Sequence, residues 1–89
     1  GVRNADVFCT QLRDVIAAHD ILRLKGFVEV SGKPMRLVVQ AVGSRIDSYF
    51  DRAWAPGEER ATRLVVIGQI GIDRSAISAA IEAAAKAAA

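Results

Sequence analysis

Eighty-nine residues leave room for one small hydrophobic core, which excludes most multi-domain enzymes. Sixteen of the residues that make the chain 52% hydrophobic are Ala, so the core must come from the 30 larger apolar side chains. Twelve Lys and Arg against ten Asp and Glu give a net charge of +2 without a basic block, and one Cys excludes an internal disulfide.

Asn4 is placed to cap a helix that starts at Ala5, with Asp6 in the first turn where the helix dipole favours negative charge. Phe8, Leu12, Val15 and Ile16 recur at helical spacing, so one stripe faces a core and the helix is expected to end near His19 or Asp20. From Ile21 the period changes to two. Leu22, Leu24, Gly26, Val28 and Val30 fall on one side of a strand, and Arg23, Lys25, Phe27 and Glu29 on the other. The turn residues Ser31 to Pro34 lead into a second alternating strand, Met35 to Val42, which makes an antiparallel hairpin. Gly43-Ser44 marks another turn, followed by a shorter strand from Arg45 to Phe50 and a Pro56-Gly57 loop carrying Trp54. Thr62 to Ile67 is predicted as the fourth strand, apolar enough to lie inside the sheet. Gly68 to Gly71 breaks it, and Asp73 caps a final helix, with Ile72 and Ile77 spaced for a hydrophobic staple. The Ala-rich end, from Ala83, has strong helix propensity and little to bury, so it is expected to fray.

These elements predict an α+β two-layer sandwich, a four-stranded antiparallel meander with both helices on one face. Leu22, Leu24, Leu37, Val39, Leu64 and Val66 are then expected to point toward the helices. The opposite face carries Arg23, Lys25, Phe27, Arg36, Gln40, Arg45, Tyr49 and Arg63 among Val38, Val42, Val65 and Ile67, a mixed cationic and apolar docking surface.

Catalytic motifs are absent from the pattern. Gly26 to Gly32-Lys33 misses a P-loop, because its spacing is one residue too long, Pro34 replaces the hydroxyl residue and a strand follows instead of a helix. His19 is the sole imidazole, and Ser44, Ser48, Ser75 and Ser78 have no partner motif for nucleophilic catalysis. Cys9 lies nearly three helical turns from His19, too far to share a metal, and reads as a buried or half-buried apolar residue. Trp54 either packs on the rim of the core or serves as a contact residue. Lys25-Gly26-Phe27 follows the local order of a single-stranded RNA module for three residues and then departs, leaving Phe27 and Tyr49 as the only candidate base-stacking side chains. No run of eighteen apolar residues and no signal-peptide pattern occurs, so neither a membrane span nor export is expected, and the lone Cys fits a reducing, cytoplasmic setting. The start Gly-Val-Arg-Asn reads as that of an excised domain, with Gly1 as a tag remnant.

The run His19 to Gly68 resembles the C-terminal domain of the CobW-like family of P-loop GTPases, which act as metallochaperones. The matching residues are Arg23-Leu24-Lys25-Gly26, Gln40 with Val42, Asp51-Arg52 with Trp54, and Val66-Ile67-Gly68. The resemblance implies an accessory, non-catalytic domain spanning residues 1–89. The family's nucleotide site and its metal-binding Cys motif belong to an N-terminal GTPase domain, and neither motif occurs here. No cofactor is then expected in this chain, whereas GTP and a divalent metal such as cobalt or zinc are implied for the full-length protein. The implied partners are the chain's own GTPase domain and a client such as the cobalt-insertion machinery of cobalamin synthesis. Arg23, Lys25, Phe27, Arg36, Gln40 and Arg45, with Trp54 beside them, are the expected contact surface. Such domains usually open with a further strand ahead of the first helix; without it, an exposed sheet edge is expected to pair with another chain, including a second copy. No membrane is an expected partner and nucleic acid is disfavoured; the alternatives to the accessory-domain reading are a single-stranded RNA-binding module and a self-associating structural module.

Overall fold

The computed structural model describes residues 2–43, 45–69 and 71–89; Gly1, the Ser44 half of the second turn and Ile70 lie outside the described residues. Helix α1 spans Ala5–Ala18, and strands β1 (Ile21–Val28), β2 (Met35–Val42), β3 (Arg45–Ala53) and β4 (Arg63–Gly68) precede helix α2 (Arg74–Ala87). The caps are those expected. Asn4 Oδ1 accepts from the Val7 N–H at 3.1 Å, and Asp73 Oδ1 accepts from the Ala76 N–H at 2.9 Å. At the other end of α1, His19 is the C-cap and donates its backbone N–H to Val15 O, and Asp20 adopts the left-handed conformation (φ 52°) that turns the chain into β1.

The four strands form one antiparallel sheet in the order β3-β2-β1-β4. The α+β two-layer reading therefore holds. The meander runs only through β3; β4 crosses back to pair with β1, so it is an edge strand and not an interior one. Alternation told of an apolar strand but not of its neighbour. α1 packs across β1 and β3, and α2 packs on α1. Phe8, Leu12, Val15 and Ile16 from α1 meet Leu24, Val28, Leu37, Val39 and Ala41 from the sheet and Ile77 from α2 in a single core. Each fully buried large side chain contributes roughly 1.5–3 kcal/mol, so this cluster carries the fold.

Two irregularities redirect side chains. A register shift between Ile21 and Arg23 in the β1–β4 pairing makes a bulge at Leu22. Ile21 is consequently buried, and Leu22, expected inside, is 47% exposed. A second shift, between Arg36 and Leu37 against β3, leaves Asp51 as the extra residue. β3 thus continues to Ala53, and Asp51 and Arg52 lie in a strand rather than in the loop where the sequence placed them.

The C-terminal helix does not fray as its composition implied. Ala84 and Ala88 are buried, and the Ala88 carbonyl accepts hydrogen bonds from the Arg3 and Asn4 N–H groups, both at 2.9 Å. Beside this junction Val2 makes a parallel bridge with Val30 and is itself buried. The two ends of the chain thereby hold each other, an interaction between residues more than eighty positions apart.

Candidate docking face

The sheet face turned away from the helices is built in cross-strand rows. Ile67, Arg23, Val42 and Arg45 form one row, Val65, Lys25, Gln40 and Asp47 the next, and Arg63, Phe27, Val38 and Tyr49 the third. Arg36 follows on β2. The residues expected on this face from alternation are there, Arg23, Lys25, Phe27, Arg36, Gln40 and Arg45 among them. Asp47 completes the second row and was not singled out by the sequence.

The face divides into two unlike ends. At the end near the β1–β2 turn, the side chains are tied to one another. The Arg36 guanidinium grips Asp51 with two parallel bonds, Nε to Oδ1 at 2.9 Å and Nη2 to Oδ2 at 2.7 Å, and lies 3.8 Å above the Phe27 ring. The Asp51 carboxylate also accepts the Arg52 N–H, and these contacts, the Arg36 bond foremost, hold its pKa below the ordinary value. Arg36 is therefore no free cation, and the ring expected to stack bases already has a guanidinium on one side.

The loop after β3 is fixed in the same way. Arg52 donates from both terminal nitrogens to Glu58, each at 2.9 Å, while the Ala55 N–H donates to Glu58 Oε1 at 2.8 Å. With the Arg52 hydrogen bond the largest cause, the Glu58 carboxyl is lowered to about 2. Gly57, at φ 81°, supplies the left-handed residue of the turn between them. Arg60 reaches back to Lys33 O and lies 3.7 Å from Glu29, and the backbone N–H of Trp54 donates to Pro34 O at 3.1 Å. Trp54 is half-buried against this frame, with Arg60 6.0 Å from its ring, and so takes the packed role of the two the sequence allowed.

The other end is open. Arg23 and Lys25 are exposed and make no ion pair among the described residues, and Arg45 approaches Asp47 only at 3.8 Å with both side chains largely in water. Around them Val42, Val65 and Ile67 are 63%, 67% and 54% exposed. Exposed cations among solvent-facing aliphatic side chains offer both charge and desolvation gain to a partner. Nothing in the sequence separated this end from the tied one, because Asp51 lies 15 positions from the Arg36 it holds and Arg60 lies 27 from Lys33.

Gly26 and Gly68 are positions of close approach. A Cβ on Gly26 would fall within the Arg63 carbonyl oxygen and 2.8 Å from Leu64 Cα, and one on Gly68 would lie 2.8 Å from Ile72 Cγ2. Cys9 is half-buried, and burial pushes its thiol up against the opposing hydrogen bond from Ser48. Among the described residues no group of three His, Cys, Asp or Glu side chains is arranged to hold a metal ion, and no helix is long and apolar enough to cross a membrane.

Residues 4–85 match the family model described as the cobalamin synthesis protein cobW C-terminal domain. The chain is 63% identical over 76 residues to the zinc chaperone CobW of a Sinorhizobium species, covering 85% of this chain and 22% of that protein. It is 57% identical over 67 residues to the zinc chaperone CobW of Pseudomonas aeruginosa, covering 75% of this chain and 18% of the relative. The chain thus spans about a fifth of the length of these relatives. In structure it resembles the Zn(II)-bound YjiA GTPase from E. coli, at a TM-score of 0.71 and 26% identity, over 93% of this chain and 26% of the other. A Zn(II)-bound triple mutant of YjiA superposes over the same shares at a TM-score of 0.72 and 26% identity. With the family model matched over nearly the whole chain, the chain belongs to the CobW C-terminal domain family.

Proposed function

We propose that this chain is the accessory, non-catalytic domain of a CobW-like metal-chaperone GTPase, and that it docks the GTPase domain or a client through the open end of its sheet. GTP binding and hydrolysis, and the holding of the delivered metal, belong on this reading to the rest of the full-length protein. The names of both relatives favour zinc as cargo over the cobalt that a cobalamin-synthesis role would require.

One observation carries the reading: Arg23 and Lys25 stand unpaired among the described residues, side by side on a rigid sheet and framed by exposed Val42, Val65 and Ile67. A solvated face of no function gains nothing from aliphatic side chains held in water, whereas an interface core does. The family-motif residues Arg23, Lys25, Gln40, Val42 and Ile67 gather at this end, while Asp51, Arg52 and Trp54 brace the other. An RNA-binding role is disfavoured by the Arg36 cover on Phe27 and the small net charge.

The test is a pull-down of the 89-residue chain against the GTPase portion of its full-length protein, with and without GTP and Zn(II). The expected result is capture that Arg23→Glu with Lys25→Glu abolishes while the circular dichroism spectrum stays unchanged. Undiminished capture by the folded double variant contradicts the proposal.

A further inference from the structure

The two edges of the sheet are built differently. β3 places four charged residues, Arg45, Asp47, Asp51 and Arg52, along its nine positions, a pattern that resists pairing with another strand. β4 has one, Arg63, at its first position, followed by Leu64, Val65, Val66, Ile67 and Gly68. Among the described residues β4 pairs with β1 alone, so backbone donors and acceptors stay open along an apolar strand.

The layer above β4 is open as well. Because α2 rests on α1 and not on β4, a groove of about 660 Å³ remains between them, with Leu64 and Val66 as one wall and Ile72, Ile77 and Ile81 as the other. On the opposite face, Val65 and Ile67 separate the edge from Lys25 and Arg23, their direct cross-strand neighbours.

From these features we infer that the β4 edge binds an extended peptide segment in which apolar and acidic residues alternate. The segment adds as a fifth strand, with its backbone completing the hydrogen bonds of the edge. Successive side chains of a strand point to opposite faces, so one set enters the groove and the other lies beside Val65 and Ile67. Strands are spaced by about 4.8 Å, which puts the second set roughly 10 Å from the backbone of Arg23 and Lys25. The combined reach of a lysine or arginine and a glutamate closes that gap across the short valine and isoleucine. Acidic residues there meet the two cations that have no ion-pair partner among the described residues.

The same charges argue against a second copy as the occupant. A second copy brings no acidic side chain on its own β4 to meet Arg23 and Lys25: the one charged residue of that strand is Arg63, itself paired with Glu59 at 3.2 Å. The inference rests on the docking role proposed above and adds to it the chemistry and the binding mode of the partner.

The probe is a fluorescein-labelled decapeptide of alternating valine and glutamate, compared with an alternating valine and lysine peptide by anisotropy against the 89-residue chain. Amide shifts are followed by NMR. The expected result is preferential binding of the acidic peptide, with the largest shifts on β4. Affinity should fall at least tenfold in Val65→Glu, which repels the acidic side chains, and in Ile81→Asp, which spoils the groove and leaves the cationic face intact; circular dichroism shows that each variant is folded. Loss in Lys25→Glu but not in Ile81→Asp, or shifts confined to the face, overturns the strand-addition mode and leaves the docking face standing. Equal binding of the lysine peptide overturns the charge assignment. A concentration-dependent dimer seen in sedimentation, disrupted by Val65→Glu, makes the second copy the occupant and overturns the inference, as does absence of binding by either peptide.

Discussion

Replacing Gly26 with Ala tests whether β4 is seated on β1 as described. The new Cβ would overlap the Arg63 carbonyl oxygen and press on Leu64 Cα at 2.8 Å, and both are backbone atoms that no rotamer change can move aside. In an unhindered strand, Gly→Ala stabilises by about 0.4–1 kcal/mol through the unfolded chain. Overpacking against fixed neighbours costs about 1–3 kcal/mol, and here the obstacle is main chain, so the upper part of that range applies and the net loss is about 1–2 kcal/mol. For a domain of this size each kcal/mol shifts Tm by about 4–8 °C, so calorimetry should show a drop of roughly 4–16 °C. Because the strain falls on the Arg63–Leu64 backbone, hydrogen exchange should speed up on β4 before it does on β2. An unchanged or raised Tm, or uniform exchange across the sheet, refutes the close approach of β4 at Gly26.

Three further outcomes follow from named contacts. The Glu58 carboxyl is lowered from 4.5 to about 2, so its hold on the Trp54 loop is complete above pH 4.5 and lost as pH falls toward 2; fluorescence of the single Trp should report a transition in that window, absent in Glu58→Gln. Asp73→Ala removes the acceptor for the Ala76 N–H and should cost about 1 kcal/mol in chemical denaturation, and a neutral result would mean that α2 is held without its cap. Ile21→Ala should cost about 2–5 kcal/mol while Leu22→Ser is nearly silent; the reverse order in urea melts would place the β1 bulge elsewhere.

Local physics made much of this fold readable from the sequence. Asn4 and Asp73 announce their helices because a capping side chain bonds a backbone group three residues away, and the stripe Phe8, Leu12, Val15 and Ile16 has the period of the helix it forms. In β2, Leu37 and Val39 lie inside as period two expects, while Val38 on the opposite face is buried as well. The failures have long-range causes. Leu22 was assigned to the core because period-two counting has no knowledge of a bulge, and a bulge shifts every residue on one side of it to the other face. The neighbour of β4 is chosen by the crossing of the chain after β3, which no local pattern encodes. The Ala-rich end of α2 is ordered by Arg3 and Asn4 from the opposite terminus, so composition alone misjudged it.

The same limit governed the docking face. Alternation gathered Arg23, Lys25, Phe27, Arg36, Gln40 and Arg45 onto one surface, and the family motifs pointed to the same strands. Charge in the sequence did not distinguish a committed cation from an available one. Arg36 is bound to Asp51 and laid over Phe27, and Arg52 is bound to Glu58, whereas Arg23 and Lys25 face water. The open half of the surface emerges only when these pairs are drawn.

The most direct test of the docking account is to titrate the isotope-labelled 89-residue chain with the unlabelled GTPase portion of its full-length protein and to follow the backbone amides. The expected result is a contiguous set of shifts at Arg23, Lys25, Gln40, Val42, Val65 and Ile67, with Trp54 and Arg36 unmoved. Shifts confined to the helices or to the tied end around Trp54 contradict the assignment of this face.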